Sequence, residues 1–381
     1  MFKVARRGAI APFIVMDVMR AAQDRQEAGG DVVHLEVGQP AGPAPAAVIG
    51  AARRALDGDA LGYTQSLGHP PLRRRIAEHY RSAYGIDVAA ARVVVTTGSW
   101  AAFLLAFLAA CEPGDRVAVA APGYPAYRNI LTALGVEAVP VAVGPTSRWQ
   151  VSVPLLAAVE GCLDGVVVAS PSNPTGSMLA AAEVADLAAW CEARGVRLIS
   201  DEIYHGITYG AAAASAAGLG DHLVVVNSFS KYYGMTGWRL GWMVVPPDLA
   251  RAVECLQQNL FISPPTLSQL AAEAVFDCVD ELDARVAGYR VNRDILLEEL
   301  PKAGFTRLAP SDGAFYLYAD VAEMTNDSTE FCRRMLAETG VAVTPGVDFD
   351  PVQGHRTLRF SFAGAAREMA EAARRLKAWR R

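Results

Sequence analysis

The chain has 381 residues, 52% of them hydrophobic, and a formal net charge of −5. That length suits two domains better than one core. Scattered arginines form no basic stripe, which argues against a nucleic-acid partner, and the longest apolar run, Trp100 to Cys111, has 12 residues, short of the ~20 that a membrane helix needs.

Near the start, Arg6 and Arg7 precede an apolar stretch over 8–16 with some leader character, but Pro12 and Asp17 interrupt it and no cleavage-like site follows. The six cysteines lie far apart with no C-x-x-C pair, so they read as reduced residues of a cytoplasmic protein without a zinc site. The six histidines are equally scattered, and no metal is expected.

From residue 46 to 275, helix-like runs at 46–56, 72–84, 100–110, 127–134 and 181–193 alternate with strand-like runs at 93–95, 117–119, 166–168, 198–199, 224–226 and 241–245. This alternation predicts an α/β fold: a large domain with a mostly parallel sheet covered by helices on both faces. The alanine-rich stretch 211–220 is expected to be a surface excursion. Beyond it, 271–300 reads as one long amphipathic helix, bent or irregular in places. Strands at 313–320, 341–344 and 357–362 and a closing helix at 365–380 complete a smaller α+β domain. The expected division is 46–275 for the large domain, and 1–45 with 276–381 for the small one.

Ligands of such sheets bind beyond the carboxyl ends of the strands. After the first strand, Thr96-Thr97-Gly98-Ser99-Trp100 opens a helix whose exposed amides suit a phosphate, or form an ordinary N-cap. After the second, Tyr124 sits between Pro122 and Pro125, where an aromatic ring stacks on a flat ligand or simply packs in a turn. The third leads into Ser170-Pro171-Ser172-Asn173-Pro174-Thr175-Gly176, which fixes the side-chain amide of Asn173 before a proline. The fourth ends at Asp201-Glu202-Ile203-Tyr204. An aspartate there needs a partner, either as an N-cap or with a cation, which at ~4 Å and an effective dielectric of about 20 attracts it by ~4 kcal/mol. The fifth leads into Ser228-Phe229-Ser230-Lys231-Tyr232-Tyr233-Gly234-Met235-Thr236-Gly237-Trp238-Arg239-Leu240-Gly241. A lone lysine after a strand is ordinarily a solvated loop residue. Here hydroxyls, glycines and an arginine surround it, which suits an amine nucleophile held beside a phosphate.

The pattern Ser-x-Ser-Lys-x-x-Gly-x-x-Gly-x-Arg resembles the lysine segment of the class I/II aminotransferases. These aspartate-aminotransferase-like, fold type I enzymes use pyridoxal 5'-phosphate (PLP), and the other strand-end elements follow in the family's order. The resemblance implies that Lys231 is the Schiff-base lysine and the proton-moving base, with Asp201 against the pyridine nitrogen and Tyr204 at the phenolic oxygen. It further implies that Gly98, Ser99 and Trp100 open the phosphate helix, that Ser228, Ser230 and Arg239 hold the phosphate, and that Tyr124 lies over the ring. Asn173 would reach both cofactor and substrate, Gly38 in Val37-Gly38-Gln39-Pro40 would touch substrate, and Arg359 in Leu358-Arg359-Phe360-Ser361-Phe362 would clamp the α-carboxylate. Tyr63 in Gly62-Tyr63-Thr64 would reach the neighbouring subunit's phosphate, which implies a homodimer with shared active sites.

One position departs from the pattern. Aspartate-specific bacterial relatives often carry a lysine where this chain has Trp100. An indole cannot pair with a carboxylate, but it can line an apolar pocket or pack into the core. The expected reaction is therefore ping-pong transfer of an amino group from a neutral or aromatic L-amino acid, rather than aspartate, to 2-oxoglutarate or pyruvate. A C–S β-lyase or another fold type I PLP enzyme is the alternative. A transcription regulator with an aminotransferase-like domain would need a DNA-binding domain ahead of the glycine loop at Gly38. A nicotinamide-dependent dehydrogenase would need a G-x-G-x-x-G after a strand.

Overall fold

The computed structural model describes residues 2–58 and 61–379. Helix α1 (Ile14–Glu27) and strand β1 (Val33–His34) lead into α2 (Ala46–Gly58) and α3 (Pro70–Tyr84). Next come β2 (Val93–Thr96), α4 (Gly98–Ala110), β3 (Arg116–Ala121), α5 (Pro125–Leu134), β4 (Glu137–Ala142), α6 (Val153–Ala157), β5 (Gly165–Ala169), α7 (Ala181–Glu192), β6 (Arg197–Asp201), β7 (Leu223–Ser228) and β8 (Gly241–Val244). The remainder is α8 (Ala250–Leu260), α9 (Thr266–Ala272), α10 (Val279–Lys302), β9 (Arg307–Leu308), β10 (Tyr316–Asp320), α11 (Ser328–Thr339), β11 (Val341–Ala342), β12 (Thr344–Pro345), β13 (Thr357–Ser361) and α12 (Ala366–Ala378). No helix among the described residues is long and apolar enough to cross a membrane.

The large sheet has the order β2-β8-β7-β6-β5-β3-β4. Only β8 runs against its neighbours, so the α/β, mostly parallel reading holds. Strand residues alternate between two apolar layers. Val93, Val95, Val166, Val168, Val225 and Trp242 face one, while Val94, Val117, Val167, Val224, Val226 and Met243 face the other. Burial on both faces is why these strands read as continuous β-branched runs. Helix α4 is buried along most of its length, from Ala101 to Phe107, as its unbroken apolar sequence requires.

A second core surrounds the antiparallel sheet β12-β13-β10-β9, and β1 pairs in parallel with β11. Single-strand readings dissolve here. The 341–344 run divides into β11 and β12, which join different sheets, and of 313–320 only β10 is strand, Gly313 making just an isolated bridge to Thr208. The 271–300 run begins in α9, passes through a 3-10 turn over Glu273–Asp277 and continues as α10. The tighter turn brings Val275 fully into the core, a tertiary demand that a single helical period does not encode. The closing helix runs over Ala366–Ala378, and Arg380 of its expected range lies outside the described residues.

Strand β4 carries Pro140, which removes a ladder donor. It survives because it lies at the sheet's edge. The alanine-rich stretch is not a surface excursion. Ala213, Ser215, Ala216 and Ala217 are buried, because the Ser215 hydroxyl (2.8 Å) and the Ala216 amide (2.7 Å) donate to the Glu202 carboxylate within the fold. A buried carboxylate draws in the nearest small residues that can offer donors.

Trp242 is fully buried, donating to the Tyr80 hydroxyl at 3.1 Å and packing 4.8 Å from the Phe229 ring. Trp242→Ala should lower stability by about 3–5 kcal/mol, read as a drop in the urea midpoint at unchanged slope.

Candidate active site

The parallel strands deliver their carboxyl ends to one edge of the sheet, and the reversed β8 starts there as well. Gly241, its first residue, pairs with Thr96 of β2 and Ser228 of β7. Arg239, two residues earlier, is thereby returned to the same edge as Lys231. From the antiparallel sheet, β13 contributes Arg359, set between Tyr318 of β10 and Thr344 of β12.

A cleft of about 150 Å³ lies where these elements meet. Gly38, Ser99, Trp100, Tyr124, Asn173, Tyr204, Ser230, Lys231, Arg239 and Arg359 all line it. Asp201 is 3% exposed. It accepts from the Tyr127 hydroxyl and, at 3.0 Å, from the Ile203 amide. Burial pushes its carboxyl up to about 6. Lys231 Nζ donates to the Gly38 carbonyl at 2.7 Å. Burial, then the positive charges of Arg359 and Arg239, lower its ammonium to about 8.

Arg359 is 3% exposed, and its hydrogen bonds among the described residues go to no carboxylate. Its Nη1 donates to Asn173 Oδ1 at 3.0 Å, and its Nη2 to the Glu36 carbonyl and, at 3.2 Å, to Thr344 Oγ1. Its Nε has no partner among the described residues. The guanidinium lies between the rings of Tyr316 (4.5 Å) and Phe349 (4.7 Å). Among the described residues, Arg239 donates to the Thr236 carbonyl alone, at 3.0 Å. It sits against Gly98, where a Cβ would come within 2.5 Å of its Nη2 and where φ is +76°. Two uncompensated guanidinium groups in one cleft suit two anions.

Other sequence-predicted residues fall differently. The Tyr204 hydroxyl pairs with that of Tyr316 at 2.7 Å. Ser228 is buried; its hydroxyl donates to the Leu240 carbonyl (3.3 Å) and accepts from the Ser230 amide (3.0 Å), so it braces the turn and does not line the cleft. Tyr63 is 83% exposed and outside the cleft. Trp100, at 41% exposure, is not a core residue; its ring meets Phe13 (5.9 Å) and Tyr124 (6.1 Å) edge-on.

Sequence reasoning missed several lining residues: Phe13, Val15, Met16 and Met19 at the start of α1, and Tyr316 and Thr236. The apolar spacing Val15, Val18, Met19, Ala22 was the available signal for α1. Tyr316 gave none, since its hydroxyl role exists only because Gly38 has no Cβ; one there would come within 1.7 Å of it. A roomier cavity of about 600 Å³ beside α3 carries none of the predicted site residues. Its His205 is used internally, between the Ser170 carbonyl (3.0 Å) and the Tyr84 hydroxyl (2.9 Å).

Residues 30–376 match the model of the family "Aminotransferase class I and II". The chain belongs to that family. It is 52% identical over 381 residues to the valine–pyruvate aminotransferase of Mycobacterium tuberculosis, covering 99% of this chain and 98% of that protein. It is 33% identical to the arginine–pyruvate transaminase of Pseudomonas aeruginosa, covering 98% and 95%. Among solved structures, an aminotransferase from Mycobacterium tuberculosis superposes with a TM-score of 0.97 at 51% identity, covering 100% and 99%. The aspartate aminotransferase of Thermus thermophilus with maleate gives 0.93 at 31% identity, covering 99% and 100%. This aminotransferase is thus PLP-dependent, acting on amino acids and 2-oxo acids. Its cleft fits the cofactor: Arg239 and the α4 N-terminus offer an unpaired anion site, and Asp201 offers a buried carboxylate.

In the cofactor-free protein, Asp201 titrates at about 6 against an ordinary value of 3.8. Its raised pKa favours folding below about 4, and that contribution is lost as pH rises to about 6. Asp201→Asn lacks this titration. The Tm difference, variant minus wild type, should therefore grow more positive between about pH 4 and 6 and level off above. A difference independent of pH would contradict the assignment.

Proposed function

We propose that this aminotransferase transfers the amino group of a neutral L-amino acid, with an aliphatic side chain of the valine class, to pyruvate by a ping-pong mechanism. The observation that carries the reading is the charge inventory of the cleft. Among the described residues, its only basic side chains are Lys231, Arg239 and Arg359, and beside the hydroxyl and amide groups near them the wall has an apolar part formed by Phe13, Val15, Met16, Met19, Val37 and Trp100. If Arg239 takes a phosphate and Arg359 an α-carboxylate, a second carboxylate finds no further basic side chain among the described lining residues. An ion left unpaired there is costly. The name of the Mycobacterium tuberculosis relative supports the same donor and acceptor.

Arg239, Ser230, Ser99 and the α4 amides from Gly98 hold the phosphate in this reading, with Ser228 bracing the turn beneath. Tyr124 would lie over the ring, Asn173 would reach the cofactor and the substrate, Asp201 would supply the anion for the ring nitrogen, and Tyr204 would serve its phenolic oxygen. PLP supplies the electron sink that makes the donor's α-proton acidic. Lys231 holds the cofactor and then moves that proton, a task favoured by its lowered pKa of about 8. Arg359 fixes the α-carboxylate together with Asn173, and Gly38 leaves room for the substrate. We also propose two domains, 46–275 and 1–45 with 276–381, and a cytoplasmic homodimer. The large exposure of Tyr63 fits contact with a second subunit, and six free cysteines fit a reducing compartment.

A single-turnover screen of valine, alanine, methionine, phenylalanine and aspartate, followed by loss of the bound cofactor's visible band, tests the donor. Valine should lead and aspartate trail, and a clear preference for aspartate would sink the reading. Lys231→Ala should lose both the band and activity. Trp100→Lys should raise kcat/KM for aspartate relative to valine by about tenfold or more, the scale of one charge-assisted hydrogen bond.

A further inference from the structure

We propose that Asp348 is a positioning residue that holds the start of α1 against the cleft and so selects the donor side chain. This deepens the donor reading above and rests on it.

Helix α1 begins after Phe13, whose side chain cannot cap. The first helical amides therefore need acceptors from elsewhere. Asp348, more than 300 residues away in sequence, supplies both. Its Oδ1 accepts from the Ile14 amide at 3.1 Å and its Oδ2 from the Val15 amide at 3.3 Å. The carboxylate is 1% exposed, and its negative charge complements the helix dipole. The far half of α1 is anchored differently, by Ala22 packing with Val32, Leu336 and Ala342. Only the capped half reaches the cleft, through Phe13, Val15, Met16 and Met19.

The turn bearing Asp348 is itself tied to the other cleft walls. Its main-chain carbonyl accepts from Arg128 Nη2 at 2.6 Å. The next carbonyl, of Phe349, accepts from the Gly123 amide at 3.1 Å, one residue before Tyr124. The Phe349 ring lies 4.7 Å from the Arg359 guanidinium. One turn thus sets the spacing between the α-carboxylate site, the Tyr124 ring and the apolar wall from α1. Phe13 completes that wall, edge-on to Trp100 at 5.9 Å and Tyr124 at 5.8 Å. A branched donor side chain depends on this wall more than alanine's single methyl does.

The test compares the wild-type holoenzyme with Asp348→Ala and Asp348→Asn. Amide hydrogen exchange should quicken by about tenfold or more at Ile14 and Val15 in the alanine variant, as local opening becomes easier. In single-turnover half-reactions its half-saturating valine concentration should rise roughly 2- to 30-fold, the range for losing one helix cap. The limiting rate, and half-saturation by alanine, should each stay within about twofold. Asparagine keeps one acceptor oxygen and should restore part of the effect; it carries the test if the alanine variant does not fold. Unchanged exchange, an equal effect on valine and alanine, or a fall in limiting rate alone overturns the proposal. A wild type that prefers aspartate overturns the donor reading instead, and exchange at Ile14 and Val15 then decides the role of Asp348 by itself.

Discussion

Arg359, Arg239 and Lys231 converge on one cleft, with Asp201 buried at the end of β6. Like charges gathered in one cleft repel one another, and burial, then that repulsion, lowers the pKa of Lys231. The fold tolerates the arrangement because each cation is held by neutral groups: Gly38 and Thr236 carbonyls, the Asn173 amide oxygen, and the rings of Tyr316 and Phe349. None of these neutralises charge. The cleft is left with an unmet demand for anions, which the phosphate and carboxylate of the proposed reading would answer.

Sheet topology makes this convergence possible. Parallel strands place the chain's turns after β2, β3, β5, β6 and β7 along one edge, so residues from 97 to 231 become neighbours. The single reversed strand matters as much. By entering β8 from that edge, the chain brings Arg239 back beside Gly98, whose positive φ suits glycine and where a Cβ would crowd the guanidinium.

In the proposed reading, the second core supplies both the carboxylate site and the apolar wall. β13 places Arg359, and the turn that follows β12 places Phe349 against its guanidinium and Asp348 against α1. Arg359 and the α1 wall are therefore both mounted on the segment that carries β12, Asp348, Phe349 and β13. That arrangement suits discrimination between donors that differ only in shape, since position rather than charge must do the selecting.

Much of this was legible in the sequence because the relevant signals are local. Buried parallel strands announce themselves as valine runs, and the turns after them carry the asparagine, aspartate, lysine and arginine that the cleft assembles. Local pattern also explains where the reading stopped. β4 was masked by an edge proline, and the stretch 211–220 looked like surface because alanine shows nothing of the buried Glu202 that it serves. Whether Trp100 faced core or cleft depended on Phe13 and Tyr124, and the cap on α1 depended on a carboxylate more than 300 residues distant. The sequence by itself determined the chemistry, since residue type and spacing within each turn fix which atoms can act. The tertiary structure alone decided the walls, because contacts between remote segments leave no period in either partner.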